Sequence, residues 1–155
     1  MRKLTLVAIC VLVLGTAAMA EQYETKWHCS KPAENPVLKV GDVPGHSYAL
    51  AQGTCEAKSS NAGEKSGAYT EFNEGWKTSY TGHGRFNVTT DNGDMLYYTY
   101  ERSGAPADKK GVNNWKLVGG TGKHKGIKGS GTCPGTFNDD GTSDWECTGT
   151  TTMGK

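Results

Sequence analysis

The chain has 155 residues, 17 Lys and Arg against 16 Asp and Glu, and a formal net charge of +1. That balance excludes a general nucleic-acid binder, which needs a strong basic excess. The length suits one domain.

The first segment, "MRKLTLVAICVLVLGTAAMA", has a basic start at Arg2 and Lys3, an apolar run over 4–14 and an A-x-A end at Ala18-Met19-Ala20. This is the pattern of a secretory signal peptide over 1–20. Its apolar run is shorter than the roughly 20 residues a membrane span takes. Cys10 lies within it and is removed with it. The expected mature chain, 21–155, is a single domain. Without Arg2 and Lys3 it carries 15 basic and 16 acidic residues. It holds no second apolar segment, so no membrane span is expected. The implied location is periplasmic or extracellular.

Beyond the leader, apolar residues alternate instead of recurring every three or four positions, and Thr, Tyr, Val and Gly dominate. Strands are predicted at 23–30 and 36–40, both weakly patterned, then at 46–57 and 67–74. "SSNAGEKSG" (59–67) reads as a loop. The strand from Tyr80 to Thr89 sets Tyr80, Gly82, Gly84, Phe86 and Val88 on one face. "DNGD" follows, with the hairpin pair Asn92-Gly93, and then the return strand 95–102. A two-residue turn there places Val88 opposite Tyr97, Phe86 opposite Thr99 and Arg85 opposite Tyr100, mixing aromatic and β-branched partners. "RSGAPADKKGVNN" (102–114) reads as a second loop. Strands at 114–118, 126–133 and 144–153 complete a set of seven or eight at hairpin spacing, the pattern of an antiparallel sandwich or barrel.

Four cysteines remain after the leader: Cys29, Cys55, Cys133 and Cys147. An even count in an exported chain favours disulfides, with three pairings open. Cys133 and Cys147 lie symmetrically about Asp140 in the turn-rich "NDDGT". A hairpin centred there brings them face to face, which leaves Cys29 for Cys55. A zinc site has no C-x-x-C or paired-His spacing to support it.

The stretch "WKLVGGTGKHKGIKGSGT" (115–132) raises three readings. A phosphate loop fails, because Leu117 stands where its first Gly is needed and His124 where Ser or Thr is needed. A dinucleotide loop fails for want of a following helix. As a strand, it puts Ile127, Gly129, Gly131 and Cys133 on one face, sets Ile127 against Met153 and lays Trp145 over Gly135. Alternating glycines mark tight bending or close backbone approach, which suits a small closed barrel that leaves no sheet edge. The lysines then lie on the solvent side.

The same stretch resembles the signature of the allene-oxide-cyclase-like barrel group, which is similar to the plant dirigent proteins. That signature, GGTG-x-x-x-G-x-x-G-x-G, matches Gly119, Gly120, Thr121, Gly122, Gly126, Gly129 and Gly131. The chain is most similar to the small exported bacterial members. The resemblance implies an eight-stranded antiparallel, calycin-like barrel, here stabilised by disulfides, whose interior can hold an apolar ligand. It carries over no catalytic residue, and the cysteines depart from the plant pattern.

No candidate site is carried by a motif. His28, His46, His83 and His124 show no ligand spacing and read as surface residues; no metal and no cofactor is expected. "NDDGTSD" lacks the spacing and final Glu of a calcium loop. No G-x-S-x-G nucleophile motif is present. Phe86, Val88, Tyr97 and Trp115 are the expected lining of a ligand cavity, with simple core packing as the competing role. Glu71, Glu101 and Tyr97 are the polar groups to inspect for catalysis. Three functions stay open: a barrel binding a small apolar ligand, a cofactor-free isomerase, cyclase or lyase, and a structural or interaction protein with a filled core. The oligomeric state is open.

Overall fold

A computed structural model describes residues 19–154, so all but the last two residues of the predicted leader lie outside the described residues. The strands are β1 (Glu21–Cys29), β2 (Val37–Lys39), β3 (Ser47–Ser60), β4 (Glu64–Gly75), β5 (Tyr80–Thr90), β6 (Met95–Ala105), β7 (Lys110–Gly120), β8 (Ile127–Phe137) and β9 (Ser143–Met153). They form one antiparallel sheet in the order β1-β9-β8-β7-β6-β5-β4-β3-β2. β1 pairs β3 as well as β9, and this closes eight strands into a barrel with β2 added outside it. The fold is the all-β barrel expected, and closure leaves no free edge within the ring.

Strand parity decides what enters the barrel. Tyr23, Thr25, Trp27 and Cys29 of β1, Leu96, Tyr98 and Tyr100 of β6, and Trp115 and Leu117 of β7 are buried inside. Their alternate neighbours face solvent. Both disulfides form as expected, Cys29–Cys55 across the β1–β3 closure and Cys133–Cys147 within the last hairpin.

The two hairpin turns share one geometry. In each, a residue's N–H bonds the carbonyl four positions on, Thr90 to Asp94 and Asn138 to Thr142. The third loop residue is a left-handed glycine, Gly93 and Gly141, each at φ +86°. These are three-residue loops with a glycine bulge. The reading centred on Asp140 holds: Gly135 faces Trp145 and Ile127 faces Met153. The reading centred between Asn92 and Gly93 is one residue out. Val88 faces Leu96, Phe86 faces Tyr98, Arg85 faces Thr99, and Gly84 faces Tyr100.

Both predicted loops are shorter than expected. β3 and β4 take in most of 59–67, because polar Ser and Lys alternate as well as apolar residues do. β6 and β7 consume most of 102–114, leaving a short 3-10 turn, Pro106–Asp108.

Candidate functional site

The interior has three levels. At the closed end lies Glu64, buried at 4% exposure. It accepts hydrogen bonds from the hydroxyls of Tyr23 at 2.7 Å, Thr25 at 2.7 Å and Tyr98 at 2.5 Å. Its inward position depends on a bulge in β4, where the register against β5 shifts between Glu64 and Ser66. Simple alternation backward from Glu71 would turn Glu64 outward. Burial raises the carboxyl above its ordinary range, against the lowering effect of its hydroxyl donors. Burial, followed by the charge of Glu64, raises Tyr23 and Tyr98.

Above this plug lies an apolar shaft with a cavity of about 60 Å³, bordered by Trp27, Phe86, Tyr98, Trp115 and both disulfides. Its rings pack in tilted and edge-on contacts, Tyr23 on Trp115 at 4.7 Å and Trp27 on Phe86 at 4.9 Å.

The third level is an open vestibule of about 550 Å³ at the far ends of the strands. The segment between β1 and β3 forms one wall through Lys31, Pro32 and Val37; Tyr69, Tyr80, Phe137 and Trp145 form others. Arg102 borders both cavities and marks the floor. Its Nη1 donates to Glu71 at 2.9 Å, and its Nε to Asn113 at 2.9 Å. Glu71 also accepts from Tyr100 at 2.7 Å and from Asn73 at 3.0 Å. The guanidinium lies 4.7 Å above the Trp145 ring, a favourable cation–π contact. Burial, then the charge of Glu71, drives the Tyr100 phenol well above its usual range, so at neutral pH it holds its proton as a donor. Chemically the floor offers a buried, charge-compensated carboxylate, a protonated phenol and a guanidinium with N–H groups to spare.

The expected cavity residues scatter. Phe86 and Trp115 border the shaft. Val88 is fully buried in the core but borders neither cavity. Tyr97 is 37% exposed: the one-residue register correction sends it outside and brings Tyr98 in. Glu71 is buried inside, whereas Glu101 is exposed outside. Arg102, Tyr100, Tyr69, Trp145 and Glu64 were missed. Arg102 and Tyr100 share parity with Tyr98, so the correct turn would have exposed all three. Of the histidines read as surface residues, His83 is exposed and His46 is corrected. His46 is 9% exposed, with its ring stacked on Trp76 and its nitrogens 2.6 Å from Asp42 and 2.9 Å from Glu74. Among the described residues, no group of three or more His, Cys, Asp or Glu side chains could hold a metal ion.

Disulfide-braced, eight-stranded and closed around an aromatic shaft, the chain has a dirigent-like barrel fold. No family model matches it, and no curated protein does. Among solved structures it is similar to the pterocarpan synthase dirigent protein, with a TM-score of 0.53 over 97% of this chain and 98% of that one, at 12% identity. At that identity the likeness is one of fold.

Proposed function

We propose that this chain is an exported member of the allene-oxide-cyclase-like and dirigent-like barrel group that binds a small, mainly apolar ligand at the vestibule. The observation carrying this reading is the vestibule itself. It is open at one end, walled by aromatic rings and floored by a few convergent polar groups, the usual make-up of a small-molecule site. The leader pattern of 1–20 and two disulfides support export to an oxidising compartment. A filled structural core accounts for the sealed Glu64 end but leaves the vestibule without a use.

A cofactor-free isomerase or cyclase is the second reading, favoured by the floor. Arg102 would orient an acceptor oxygen, and Tyr100, supported by Glu71, would hold or deliver a proton above it. That the similar structure is a synthase adds to this reading by analogy of fold.

The test is native mass spectrometry of protein purified without denaturant from its exported fraction. A reproducible added mass, lost on unfolding, is the expected result. A bare mass, together with no uptake of small aromatic or aliphatic probes, would overturn ligand binding and return the barrel to a structural role.

A further inference from the structure

We propose that the ligand is a compact aromatic acid, its carboxylate held by Arg102 and its ring laid between Tyr69 and Phe137. This rests on the ligand-binding reading above and gives it a chemical class.

The argument is a count of donors and acceptors. Among the described residues Glu71 is the only carboxylate bordering either cavity, and it is spent. One oxygen takes Arg102 and Asn73, and the other takes Tyr100. Arg102 has five N–H groups, of which Glu71 and Asn113 occupy two; the others meet no acceptor among the described residues. Two more donors are fully buried without a partner, packed into the walls and closed to the void. The Tyr80 hydroxyl belongs to a wall of the vestibule and the Trp115 indole N–H to the shaft. Trp115 is only 5% exposed. The donors left for a ligand are therefore the spare N–H groups of Arg102, which borders both cavities, and a ligand that completes this site brings acceptors to them.

Charge narrows the class further. With Glu71 neutralised by Arg102, the remaining charged groups at the vestibule among the described residues are Lys31 and Lys109. Lys109 turns to Asp139, while Lys31 meets no acid among the described residues. A cation is repelled, a neutral alcohol leaves the guanidinium donors short, and a carboxylate matches the planar fork of Arg102. The walls decide the body of the ligand. Tyr69, Tyr80 and Phe137 line it, and aromatic walls pack an aromatic ring more favourably than a flexible chain.

The experiment is calorimetric titration of the purified exported protein with 2-naphthoate, its neutral counterpart 2-naphthylmethanol, and decanoate. The expected result is at least tenfold tighter binding of 2-naphthoate than of either other probe. That preference should vanish in the double variant Glu71→Gln, Arg102→Met, which leaves no lone charge at the floor. Lys31→Gln removes a vestibule charge that meets no acid among the described residues; it is expected to keep the fold and weaken 2-naphthoate severalfold, so the proposal stays testable if the double variant does not fold. Equal affinity for acid and alcohol overturns the acid assignment and leaves ligand binding standing. Decanoate matching 2-naphthoate overturns the aromatic assignment. Failure of all three probes, on a protein that carries no native ligand, overturns this proposal and the ligand-binding reading together.

Discussion

Tyr100 reaches the carboxylate of Glu71 across Gly84, the residue that separates them in the cross-strand row Glu71, Gly84, Tyr100. A Cβ on Gly84 would sit 2.5 Å from the Tyr100 hydroxyl and 2.8 Å from the Thr70 carbonyl. The glycine is therefore a slot through which one strand's side chain crosses to the next but one. The same device recurs opposite: Cβ atoms on Gly131 and Gly149 would lie 2.6 and 2.5 Å from the Trp115 ring. The alternating glycines of β5 and β8 are thus the negative of the large side chains they admit.

Replacing Gly84 with Ala should accordingly displace Tyr100 from Glu71 and destabilise the barrel by about 1–3 kcal/mol, the usual range for overpacking. Thr81→Ala, on the outer face of the same strand, should change stability by less than about 0.5 kcal/mol. Urea denaturation of the two variants checks this. A Gly84→Ala protein as stable as the parent would mean that the slot has room the geometry does not show.

The class of fold was legible because alternation survives in nearly every strand, and so was the last hairpin, since its symmetric cysteines and "NDDGT" both point to Asp140. The first hairpin was misread by one residue. Asn92-Gly93 is compatible with a two-residue turn and with a three-residue loop ending in a left-handed glycine, and composition does not separate them. One residue of slip turns every side chain over, which exchanged Tyr97 for Tyr98 and hid Arg102. Glu64 was hidden differently, by a bulge within a stretch polar enough to read as loop. The site was less legible than the fold because its polar floor is assembled from three separate strands, β4, β6 and β7.

The corrected register has a direct test. Tyr97→Ala removes an outward ring and should cost less than about 0.5 kcal/mol. Tyr98→Ala removes a buried ring and a donor to Glu64, and should cost about 3–5 kcal/mol. Equal losses in thermal unfolding would restore the two-residue turn.

The two disulfides should differ in what they hold. Cys133–Cys147 lies within one hairpin, whereas Cys29–Cys55 fastens the seam where β1 meets β3. Each pair replaced by Ala should cost about 3 kcal/mol from loop entropy alone. Only the Cys29–Cys55 variant should accelerate amide exchange along β1 and the facing half of β3, because only there does the bond close the barrel. Exchange confined to the last hairpin in both variants would show that the seam holds without it.

Stability should decline as pH rises from mildly acidic to alkaline. Both nitrogens of His46 face carboxylate oxygens, which can only accept, so the ring is favoured doubly protonated; its hydrogen bond to Asp42, then that to Glu74, raise it above 6.5. A raised folded value means that the contribution is complete below the unfolded one and is lost as pH climbs through the folded one. Glu64, raised above 4.5 by burial, acts in the same direction, since ionising it inside the barrel costs more than in the unfolded chain. Asp42, Asp140 and Asp144 are held below 3.8 by hydrogen bonds, to His46, Thr142 and Asn138 respectively. Their contribution is present above that value and lost below it, which closes the window on the acid side. Urea midpoints measured from pH 3 to pH 9 should therefore peak between the two limits. His46→Gln should flatten the decline near and above neutrality, and Glu64→Gln the part that begins above pH 4.5. A decline unchanged in both variants would place the titrating groups elsewhere.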